Sequence, residues 1–150
     1  MILVIRTDFD HPDAWAEIRK TFDQLRHHSM AWRADLLGMS WERAENETAD
    51  EVPVYFDHPE YDGFAPKMAV IKGTSRHKAD CAFIADTHAI TDPEHTLLAC
   101  NALRPDLAPF RCTIERAVFV VANLKDPASD WDKFLDALKE GVYRGTSTPP

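Results

Sequence analysis

Short runs built almost wholly of apolar residues constrain this chain more than any other feature. Residues 2–6 (ILVIR), 81–85 (CAFIA) and 97–103 (LLACNAL) each open on four or more consecutive apolar residues. Runs this short, rich in Ile, Val and Phe and ended by polar residues, read as buried strands. Their apolar character implies a sheet covered on at least one side. Residues 52–56 offer another strand, with Pro53 placing it at an edge or at a strand start. The run 116–123 (RAVFVVAN) suits a buried strand or a buried helix, and its Val and Phe content favours strand.

Helical patterns lie between these runs. Trp15, Ile18, Phe22 and Leu25 fall on one helical face, while Glu17, Arg19, Lys20 and Asp23 take the other. Residues 64–72 read as a short helix stopped by Gly73. Near the end, Ser129 and Asp132 have the spacing of a capping box, and Trp131, Phe134, Leu135 and Leu138 form a face that Gly141 closes. Strands alternating with helices predict an α/β (or α+β) fold. The expectation is a single layered domain over 1–150, with a central sheet of about five strands, helices packed on it and a frayed tail at 145–150.

Residues 29–51 break this economy. They hold two Trp, two Met and two Leu, followed by Glu42, Glu45, Glu47, Asp50 and Glu51. So long a connection should contain its own helices or serve a function. One reading is a helical excursion with a solvated acidic face, since apolar residues at helical spacing usually face a core. The other is a lid or docking surface, to which Trp and Met are suited.

The 150 residues carry a net charge of −8 with His neutral. Such a surface repels nucleic-acid phosphates and anionic lipid, whereas a basic protein partner remains compatible. The start lacks the basic segment and long apolar core of a signal peptide, and no stretch reaches the length of a bilayer span. Cys81, Cys100 and Cys112 are odd in number, widely spaced and set in apolar runs, which fits free thiols in a reducing cytoplasm. A Gly-rich phosphate loop, GxSxG and HExxH are absent from the sequence, and no cofactor is expected.

Phe9-Asp10-His11-Pro12 returns 47 residues later as Phe56-Asp57-His58-Pro59. Asp and His are metal ligands, but an adjacent Asp-His pair lacks the i, i+4 geometry of a helical metal site. Pro suits the first helical position, and an Asp before it suits the free amides of a first turn. The repeat therefore reads as the same helix-starting device used twice, with no metal expected.

The segments LVIRTDF, FDHPEYDG, FIADTHAITDPEHTLL, FRCTIE and GVYRG occur in this order along most of the chain. In them the chain resembles a family of small acidic bacterial proteins known only as a domain of unknown function. The resemblance implies an intracellular bacterial protein of one domain and carries no activity. The His residues of the FDHP pair and the length of 29–51 depart from the family's pattern. The matching polar positions are Arg6, Asp8, Asp86, Pro93-Glu94-His95, Arg111, Asn123 and Arg144-Gly145.

Asp8, Asp86 and Asn123 each follow an apolar run and are expected along one rim of the sheet, where α/β folds gather ligands. Two function classes follow. One is a small acidic interaction protein, comparable to an inhibitor or immunity protein, binding a basic partner; Arg6, Asp8, Asn123, Arg144, Trp32 and Trp41 are its candidate binding residues. The other is a cofactor-independent enzyme acting on a small organic molecule, such as a cyclase, isomerase or hydrolase. In that reading His95 is the acid/base, Asp86 orients it, Arg6 or Arg111 anchors an oxyanion, and Trp32 and Trp41 roof the pocket.

Overall fold

The computed structural model describes residues 1–145, the side chain of Asp50 excepted. Of the tail expected at 145–150, residues 146–150 lie outside the described residues. The fold is α/β: six strands form one mixed sheet in the order β2-β1-β3-β4-β5-β6. They are β1 (Ile2–Arg6), β2 (Pro53–Phe56), β3 (Cys81–Ala85), β4 (Leu97–Asn101), β5 (Phe110–Cys112) and β6 (Val142–Tyr143). β1 pairs parallel with β2 and β3, β4 runs antiparallel to β3 and β5, and β6 is parallel to β5. All strands but β4 therefore point the same way.

Alternation in the central strands divides the core between two faces. Ile2 and Val4 face one cluster, with Phe83, Ala85, Leu97 and Phe110, while Leu3 and Ile5 face another with Ala82, Ile84 and Val70. Over the first face lie α1 (Pro12–Leu36), α4 (Thr87–Thr91), α5 (Ile114–Asn123) and α6 (Pro127–Asp136). The second face is covered mainly by α3 (Pro66–Thr74). α2 (Trp41–Glu47) packs beside α1.

Several elements depart from the sequence reading for identifiable reasons. The run 116–123 is the body of helix α5, whose Ile114, Ala117 and Val120 are buried at helical spacing. Its β-branched content is overridden by packing, and the sixth-strand total comes from two short pairings, β5 and β6. Gly73 lies inside α3 instead of stopping it. A Cβ there would sit 2.7 Å from Ile5 Cδ1, so the missing side chain lets the helix approach the sheet. β4 ends at Asn101 because its buried amide caps the next turn, accepting from the N–H groups of Leu103 and Arg104 at 3.1 and 2.9 Å. The cap of α6 lies three residues before the expected one: Asp126 accepts from Ser129 N–H, and Pro127 opens the first turn.

The connection at 29–51 is largely helix. α1 continues for 25 residues to Leu36, the chain reverses at Gly38 with φ +65°, and Ser40 caps α2 by accepting from Arg43 N–H at 3.2 Å. α1 is therefore roughly 37 Å long, against roughly 17 Å for a five-residue strand. Its second half packs on α2 with Met30 buried, and its last turns, carrying Trp32 and Leu36, project into solvent.

Candidate functional site

The shared strand direction gathers polar residues at one rim. The carboxyl ends of β1, β2, β3, β5 and β6 meet the amino end of β4 there. Arg6, Asp8, Asp57, Asp86, His95, Arg111 and Arg144 belong to this rim, so most of the expected polar residues do share it.

Arg6 is buried and bound on several sides. Its Nε donates to Asp8 O at 2.9 Å and its Nη1 to Asp57 Oδ1 at 3.1 Å. The guanidinium lies 4.3 Å from the Phe9 ring centre and 5.5 Å from that of Trp15. Trp15 Nε1 donates to the other Asp57 oxygen at 3.0 Å, and Arg19 stands 4.0 Å from it. The two FDHP copies thus meet across β1 and β2, with Phe9 from one and Asp57 from the other holding Arg6.

This corrects part of the capping account. Pro12 does begin α1 and Pro59 begins a 3-10 turn, but neither Asp supplies the cap. His58 Nδ1 accepts from Glu60 N–H at 3.1 Å, while α1 has no side-chain cap. Among the described residues, no group of three His, Cys, Asp or Glu is arranged to hold a metal ion.

Asp8 is also buried. Burial raises its pKa, but the Asp10 N–H, the Thr87 hydroxyl and His11 outweigh that and hold it below the usual carboxylate value. The Thr87–Asp8 contact ties β1 to α4 where the strand order reverses, the usual ligand crevice of a doubly wound sheet. Here Gly63 N–H also donates to Thr7 O at 2.8 Å.

Asp86 has a different partner from the one expected. Arg111 forks onto it, Nη1 to Oδ1 at 2.7 Å and Nη2 to Oδ2 at 2.6 Å, and Asp86 caps α4 by accepting from Ala89 N–H at 3.0 Å. Burial pushes its pKa up, yet the Arg111 hydrogen bonds, the Ala89 N–H and the nearby positive charge bring it below the ordinary value. His95 adopts a positive φ of 51° and its Nδ1 donates to Ala89 O at 2.8 Å. No hydrogen bond joins His95 to Asp86 among the described residues. Glu94 instead forks with Arg144, 2.9 Å separating Nη2 from Oε1.

Three expected members are elsewhere. Asn123 ends α5, which starts at the rim and runs back toward the opposite edge; its amide donates to Phe119 O at 2.8 Å. Trp32 and Trp41 belong to the projecting end of α1 and the start of α2, so they do not roof the rim. At that end Trp32, Leu36, Leu37 and Trp41 are 51, 69, 54 and 47 % exposed. The Trp41 ring rests 5.5 Å from His27, and Arg33 lies 4.0 Å from both Glu47 and Glu51. Leu36 and Leu37 were counted with residues 29–51 but not singled out as binding residues. The signal was the α1 stripe continuing through Leu25 and Trp32 to Leu36.

These features define a six-stranded mixed α/β protein whose rim is closed by its own ion pairs and whose apolar surface lies on a helical projection. The chain belongs to the family described as a domain of unknown function (DUF6924), whose model matches residues 1–146. No curated protein and no solved structure matches it. No helix among the described residues is long and apolar enough to cross a membrane.

Proposed function

We propose that this protein is a cytoplasmic docking module that binds a basic protein partner through the projecting end of α1 and α2. The carrying observation is that Trp32, Leu36, Leu37 and Trp41 stand exposed together at one end of the α1–α2 pair. A partner covering them would gain roughly 1 kcal/mol or more from each side chain, before the cost of ordering the contact. Large aromatic and aliphatic side chains grouped in this way suit an interface centre.

Charge selects the occupant. Residues 29–51 carry six acidic side chains against two arginines. Arg33 and Arg43 are engaged with Glu47 and Glu51, while Asp35, Glu42 and Glu45 are exposed. A segment presenting Leu, Phe or Met between Lys and Arg is complementary; a second copy at net charge −8 is not. The three free thiols suit the reducing compartment.

The acid/base reading has less support. Asp86 is committed to Arg111, and His95 to a backbone carbonyl. A displayed random-peptide library selected at low salt tests the docking reading, with the wild type and a W32A/W41A variant as baits. The wild type should enrich sequences with apolar residues flanked by Lys or Arg, and the variant should not. Equal enrichment by both baits, or selection of acidic sequences, would contradict it.

A further inference from the structure

The second face of the sheet is covered unevenly. α3 lies over β1, β3 and β4, and the eight-residue loop 102–109 joins β4 to β5 beside it. The register places Phe110 opposite Ala99, so the loop must leave the sheet and return within a short span. Pro105 and Pro109 stiffen it, and it does not close onto α3. A cleft of about 280 Å³ remains between Pro66 and Val70 of α3, Cys100 of β4, and Pro105, Leu107 and Pro109 of the loop.

The lining determines the chemistry. Its body is aliphatic, and Asn101 at the edge is occupied by Pro127 O and two backbone N–H groups. The charged lining residue is Lys67, whose side chain is exposed at the mouth. Nearby Asp106 is paired with Arg104, at 3.2 Å through both nitrogens. Asp106 also faces Lys67, so the mouth carries two cations against one carboxylate on a chain of net charge −8. A cavity of about 150 Å³ can hold benzene, so this one accommodates a body about twice that size.

The geometry points to a binding site for a small apolar monocarboxylate, its ring or chain lying against Val70, Leu107 and Pro109 and its carboxylate meeting Lys67. The site is separate from the docking end of α1 and α2, and either can exist without the other. Among the three thiols Cys81 and Cys112 are buried, whereas Cys100 is partly exposed and lines the cleft. Burial pushes the Cys100 thiol up to about 12, so occupancy is read from backbone resonances around the cleft and not from thiol modification.

The test titrates the whole protein with 3-phenylpropionate or its neutral amide and follows backbone amide resonances. The acid should shift the Val70 and Leu107 resonances saturably, and the amide should bind roughly fivefold more weakly, the scale of one exposed charge contact. K67E, a change at an exposed side chain, should abolish that preference. No shifts at Val70 and Leu107 with saturating acid would overturn the proposal, as would equal binding of acid and amide by the wild type.

Discussion

Arg6 at the end of β1 and Asp57 after β2 form a buried-to-surface ion pair, Nη1 to Oδ1 at 3.1 Å, that joins the two FDHP segments. Trp15 from the first turn of α1 donates to the same carboxylate. The pair consequently fixes where α1 leaves the sheet, and with it the direction in which the far end of α1 projects.

Replacing Asp57 by Ala should cost about 3 kcal/mol, because it leaves the buried Arg6 guanidinium and the Trp15 N–H without this acceptor. Urea unfolding should show a lower midpoint with an unchanged slope. In an R6A/D57A cycle the double variant should lose less than the sum of the singles.

The Asp86–Arg111 fork predicts a pH dependence. The folded-state pKa of Asp86 is lowered, so its contribution is present above the unfolded carboxylate pKa of about 3.9 and fades as pH falls through the folded value. D86N should be about 2 kcal/mol less stable near neutral pH. The gap between D86N and wild type should shrink below about pH 4. Unfolding curves for both chains across that range check the sign.

Trp131 is fully buried, its ring centred 4.7 Å from that of Phe110 at a tilt of 51°, and it donates to Ala108 O at 2.7 Å. W131A should cost about 3–5 kcal/mol through the cavity it leaves. W131F should cost about 1–2 kcal/mol, chiefly by depriving Ala108 O of its donor. Denaturant midpoints of the two variants separate packing from hydrogen bonding.

Strands β1 and β3 were legible because buried strands need uninterrupted apolar residues, and the Trp15–Leu25 face because a helix on a sheet needs a stripe. Partnership across the sheet was not. Asp86 meets Arg111, 25 positions on, only because β4 intervenes and its register sets Leu98 opposite Arg111. Asn123 was assigned to the wrong edge for a related reason: taking α5 as a strand reverses which end of the sheet its last residue reaches. Trp32 and Trp41 were visible as unusual residues, but their exposure depends on which faces α1 and α2 turn toward each other, a tertiary relation that spacing does not encode.

Most directly, the account stands on the affinity of a library-selected, Lys/Arg-flanked peptide for three chains: wild type, L36A/W41A at the helical projection, and E94A at the rim. The projection variant should weaken binding at least about tenfold. E94A should leave it within about twofold, and added salt should weaken binding to the wild type. Retained affinity in L36A/W41A together with a loss in E94A would place the interface at the rim and contradict the account.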